Sequence, residues 1–135
     1  MNQEQSRKVN EEYARKASRM TVDDMNDVAG KKDKVWRLLG KLGSKAADIK
    51  LLWNMMIDYK EGRYPNVPWR LIGSIVFAFV YLLMPVDVIP DIIPILGFTD
   101  DIAVFGLVLK SFEHDIEAYK AWREEHRDDG MRRIN

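Results

Sequence analysis

Residues 71–109 read LIGSIVFAFVYLLMPVDVIPDIIPILGFTDDIAVFGLVL, and this stretch decides the fold. Two apolar legs flank a tip that carries Pro85, Pro90 and Pro94 together with Asp87, Asp91, Asp100 and Asp101. No residue from Leu71 to Val86 is charged. As a helix that run is about 24 Å long, at about 1.5 Å per residue. A bilayer's hydrocarbon core is about 30 Å thick. Trp69 and Arg70 lengthen the run if the tryptophan anchors at the interface and the arginine snorkels to the headgroups. The second leg, Ile102 to Leu109, is about two turns. The prolines forbid a continuous helix through the tip. The expected fold is therefore all-α: a hairpin of two short, closely packed apolar helices joined by a Pro/Asp-rich tip, with flanking amphipathic helices.

Three features favour insertion of the hairpin in lipid. Its first leg is apolar on every side. Lys60, Arg63 and Arg70 precede that leg and Lys110 follows the second, so both open ends are positive, as in a hairpin whose ends face the cytoplasm. Gly73, Ser74 and Ala78 on one leg, with Ala103 and Gly106 on the other, permit close helix–helix contact. A helical bundle in water, with the hairpin as its buried core, would use the same small residues equally well. Membrane insertion is the preferred expectation because a chain this short has few helices with which to cover one on all sides.

The four aspartates admit two accounts. Asp100 can cap the second leg, while Asp87 or Asp91 satisfies amides freed by the prolines. Alternatively, Asp87, Asp91, Asp100 and Asp101 bind a divalent cation such as Ca²⁺ or Mg²⁺, or relay protons. Capping is the favoured account, so no metal or cofactor is assigned.

Upstream, residues 3 to 19 are polar, with a thin apolar pair at Val9 and Tyr13, and read as a frayed helix or an arm. This N-terminal segment has no apolar core and is not a secretory signal. Thr21 is a good N-cap, with Asp24 where a capping box wants it. The helix that follows carries Met25, Val28, Val35, Leu38, Leu39 and Leu42, with Gly43 as its expected end. Cations from Lys31 to Lys50 interleave with Trp36 and the leucines. That pattern fits a basic amphipathic helix on an anionic bilayer, or a helix with a solvated lysine face packed by its other side; the second is preferred. Ser44 can cap a further helix, whose face is Ile49, Leu52, Trp53, Met56 and Tyr59 and whose end is marked by Lys60 and Gly62. Pro68 opens the hairpin.

Downstream, Ile102, Phe105, Leu109, Phe112, Ile116 and Tyr119 form a heptad-like stripe on one long helix, with the helix from Ser44 to Lys60 as its expected partner and self-association as the rival. Net charge is zero and cysteine is absent, so composition points neither to nucleic acid nor to a thiolate or disulfide site. Catalytic motifs are lacking. His114 and His126 stand alone, and a surface position is expected for them.

The motif YLLMPVDVIPDIIPILGFTDD resembles the signature of the YkvA or DUF1232 family. The matching residues are Tyr81, Leu82, Pro85, Asp87, Ile89, Pro90, Asp91, Ile93, Pro94, Gly97, Asp100 and Asp101. Tyr59, Gly62, Tyr64, Pro68 and Trp69 resemble the family's approach to that segment. The resemblance implies a small bacterial membrane protein with no established activity.

The expectation is a membrane-associated helical protein that binds, scaffolds or organises membrane, without catalysis. It sits in the bacterial inner membrane with cytoplasmic termini. Its partners are the bilayer and either itself or another membrane protein, not nucleic acid. Ion or divalent-metal handling by the tip aspartates is one alternative, and a soluble bundle is the other. By segment, 1–20 is a polar arm, 21–62 amphipathic helices, 63–127 the hairpin and C-terminal helix, and 128–135 a tail.

Overall fold

A computed structural model describes residues 7, 11, 14–83 and 103–126. The family tip, residues 84–102, lies outside them, and so do the expectations placed on Asp87, Asp91, Asp100 and Asp101. Every regular element among the described residues is helical: α1 (Val22–Ala29), α2 (Lys32–Leu39), a 3-10 turn (Gly43–Lys45), α3 (Ala46–Lys60), α4 (Trp69–Leu83), α5 (Ala103–Ser111) and α6 (Glu113–Glu125).

The capping box forms as expected. The Thr21 hydroxyl accepts from the Asp24 amide at 3.2 Å, and the Asp24 carboxylate accepts from the Thr21 amide at 2.9 Å. The single helix expected after it is in fact two. α1 stops at Ala29 and α2 starts at Lys32, because Gly30 is a poor helix former and its amide closes the first helix on Asn26. The two pieces turn their apolar residues to one side, burying Met25, Val28, Val35 and Leu39. Gly43 ends the pair with φ +61°, a left-handed conformation that glycine takes without strain. Ser44 does not cap α3, which begins beyond the 3-10 turn with no side-chain cap.

α4 is the centre. Leu71, Ile72, Ile75, Val76, Phe77, Ala78 and Phe79 are completely buried. α1, α2, α3 and α5 all pack against it. The cover expected from lipid is supplied over residues 71–79 by the chain's own helices, with Val80 and Leu82 half-buried. Length explains why this suffices. α4 has 15 residues, or about 22 Å. No helix among the described residues is long and apolar enough to cross a membrane. Arg70 does not need headgroups either, since its guanidinium lies over the Phe112 ring at 5.6 Å.

The long C-terminal helix is also broken. Phe112, at φ −123° and ψ 31°, separates α5 from α6. The bend lets Phe105 pack on α4 while Tyr119 reaches α3, so one stripe serves two partners.

The small residues part company. A Cβ on Gly73 would sit 3.0 Å from the Ala17 carbonyl oxygen and 3.5 Å from Trp69 Nε1. Gly73 thus receives the helical segment 14–18, not the second leg. Ala78 is fully buried, and the Ser74 hydroxyl donates to the Arg70 carbonyl at 2.8 Å. Ala103 opens α5. Gly106 is exposed, and a Cβ there meets nothing within 4 Å, so it makes no helix–helix contact among the described residues. Opposite outcomes are expected for the two glycines in chemical denaturation. Gly73→Val costs about 2 kcal/mol by overpacking, whereas Gly106→Ala gains about 0.5–1 kcal/mol from helix propensity alone.

Candidate functional site

Of the family motif, only Tyr81 and Leu82 fall among the described residues; both are on α4, Tyr81 buried and Leu82 half-buried. Pro85, Asp87, Pro90, Asp91, Pro94, Gly97, Asp100 and Asp101 all lie outside them. Among the described residues, no group of three or more histidines, cysteines, aspartates or glutamates is placed to hold a metal. His114 is exposed, as expected, and so is His126.

Two arrangements stand out, the first missed by sequence reasoning and the second visible there only as a run of cations around Trp36. The first is a polar node at the end of α3. Gly62, at φ +80°, reverses the chain there. The amides of Arg63 and Tyr64 both donate to the Asp58 carbonyl oxygen, at 2.9 and 3.1 Å, closing the helix end. The Asp58 side chain faces the other way. One carboxylate oxygen accepts from Arg63 Nε at 2.7 Å, the other from the Tyr119 hydroxyl at 2.5 Å. Arg63 also bridges to Glu61. Those hydrogen bonds, that to Asp58 foremost, raise the Arg63 pKa above its ordinary value. Tyr119 has no exposed surface. Burial, and then the hydrogen bond to Asp58, holds its phenol far above the ordinary value. Tyr64, Tyr119, Trp122 and His126 pack together beside the node, with contacting ring centroids 4.7 to 5.9 Å apart. Nothing here is arranged as a nucleophile with its base. The node's work is to fasten α6 to α3.

The second arrangement is the outer face formed by α2, the 3-10 turn and the start of α3. Lys31, Lys32, Lys34, Arg37, Lys41, Lys45 and Lys50 are all exposed. Trp36 lies half-buried among them. Lys32 Nζ stands 5.2 Å from its ring centroid and Lys50 Nζ 5.8 Å, so cations of α2 and α3 converge on one ring. The Trp36 edge meets Trp53 at 5.6 Å, Trp53 meets Phe79 at 5.2 Å, and Phe79 meets Phe105 at 5.0 Å. Four rings in edge contact thus run from the basic face through α4 to α5.

Shallow grooves also lie among the described residues. One, of about 380 Å³, lies between α3 and α6 at Leu51, Lys120, Arg123 and Glu124. Another, of about 400 Å³, passes Asp48, Gly106, Lys110 and Glu113. Their lining is mixed charge with apolar stems, and neither brings a general acid and base together.

Residues 71–107 match the family described as "Protein of unknown function (DUF1232)". The chain is also similar to the "Uncharacterized membrane protein YkvA" of Bacillus subtilis (strain 168), with 33% identity over 97 residues, which cover 64% of this chain and 92% of that protein. No solved structure matches.

The node makes an alkaline prediction. Tyr119→Phe leaves Asp58 with Arg63 alone and costs about 1.5–3 kcal/mol in urea unfolding near neutral pH. A phenol whose folded pKa is raised contributes stability that is intact below the unfolded value, about pH 10, and is lost as pH rises from there toward the folded value. The wild type should therefore lose more stability than Tyr119→Phe between pH 9 and 11, roughly the range around that unfolded value. Parallel curves would remove Tyr119 from the account.

Proposed function

Since the chain belongs to the DUF1232 family, we propose that it is a small membrane-associated helical protein that acts by binding or scaffolding. Its place in this reading is the cytoplasmic face of the bacterial inner membrane. The observation that carries the reading is the relative named a membrane protein, matched over 92% of its length. The fold shapes how association works. With α4 covered by its neighbours, lipid contact falls to the outer faces of the described helices rather than to α4. The chain's contribution is then a rigid bundle held at the membrane, on which a second protein or a second copy can assemble.

A second reading, a bundle in water with the hairpin as its core, is favoured by the same burial of residues 71–79. Ion handling by Asp87, Asp91, Asp100 and Asp101 draws no support from the described residues, because all four lie outside them.

Fractionation of the expressing cell separates the readings. The protein is expected in the membrane pellet at low salt and in the supernatant after alkaline carbonate. Recovery in the supernatant already at low salt selects the water-borne bundle. Resistance to carbonate means that the hairpin leaves its covering helices and enters the bilayer.

A further inference from the structure

We infer that the outer face of α2, the 3-10 turn and the start of α3 is the membrane-docking surface, and that it takes a layer of anionic phospholipid headgroups. The inference rests on the membrane-associated reading above and names the surface and the lipid class.

Charge segregation is the first argument. The whole chain is neutral. Residues 31–50 hold seven cations against two carboxylates, Asp33 and Asp48, a surplus of five positive charges. The rest of the chain carries the matching negative surplus. None of the seven cations forms an ion pair with another described residue. A face of unneutralised lysines costs self-repulsion in water and is relieved by an anionic surface. Within a Debye length, about 8 Å at physiological salt, each added cation multiplies partitioning onto anionic lipid several-fold.

Trp36 is the second argument. It is half-buried on this face, in edge contact with Trp53 and with lysines from two helices over its ring. An indole that is half apolar body and half polar handle, set among lysines, suits the headgroup level of a bilayer. A nucleic acid fits less well. The ring already has two ammonium groups over it and does not offer the stacking surface that bases use. A long polyanion would also meet the compensating negative surfaces, whereas a flat headgroup layer touches one face only.

The test is co-sedimentation of the full chain with phosphatidylcholine vesicles, with or without about one-third phosphatidylglycerol. The wild type is expected to sediment only with the phosphatidylglycerol vesicles and to be released by high salt. The exposed set Lys34→Gln, Arg37→Gln, Lys41→Gln and Lys45→Gln should weaken partitioning at least tenfold with its circular dichroism and melting unchanged. A companion with Lys34→Arg, Lys41→Arg and Lys45→Arg should keep it. If the glutamine set fails to fold, the salt dependence of the wild type and the arginine companion decides in its place. Equal binding to both vesicle types, unmoved by salt, overturns the inference while leaving membrane association standing. No binding to either type, in a protein that sediments with cell membranes, overturns it in favour of a protein receptor. Salt-sensitive binding to a short DNA duplex, with none to the vesicles, overturns it in favour of nucleic acid.

Discussion

A helix that is apolar on every side must be surrounded, and the rest of this fold follows from how α4 is. Each large side chain buried there is worth about 1.5–3 kcal/mol against exposure, so leaving even one flank of α4 wet would consume a small domain's margin. The chain meets the demand with modest means. Four helices and the segment 14–18 pack around a helix of 15 residues. The shortness of α4 is what makes this coverage affordable. The breaks at Gly30 and Phe112 belong to the same solution. Each turns one long amphipathic segment into two, so that its apolar residues follow a curved core rather than a straight line.

Two devices hold the cover in place. The line of rings from Trp36 through Trp53 and Phe79 to Phe105 ties α2, α3, α4 and α5 through edge contacts, each adding about 0.5–1.5 kcal/mol beyond area burial. The Asp58 node ties α3 to α6 by satisfying, at one carboxylate, a buried phenol and an arginine. The ring line also connects the two sides of the functional argument. Its outer end is the tryptophan of the basic face and its inner end is the hairpin.

Much of this was legible in the chain itself. The capping box at Thr21, the end of α3 at Lys60 and Gly62, the opening at Pro68 and the buried face of Ile49, Leu52, Trp53 and Met56 are local patterns with local causes, and the structure repeats them. Coverage of α4 was not legible as such. An all-round apolar run looks the same whether lipid or protein surrounds it, and only its length, short of a bilayer's core, hinted at the answer. Among the described residues no partner approaches Gly106, and a small residue signals close approach only where a partner arrives. Asp58 left a fainter trace. A carboxylate in the last turn of a helix opposes the macrodipole, which signals that partners elsewhere must hold it, but nothing local identifies Arg63 and Tyr119 as those partners. The basic face was visible as composition; the convergence of Lys32 and Lys50 on Trp36 needed α2 and α3 placed side by side.

The central claim is that protein, not lipid, surrounds α4. Photolabelling of the membrane-bound chain with a carbene reagent dissolved in the bilayer measures this directly. The account predicts that Ile72 to Phe79 stay unlabelled while the outer helices carry whatever label is found. Strong labelling of Ile75, Val76 and Phe77 would contradict it, because those side chains would then face hydrocarbon.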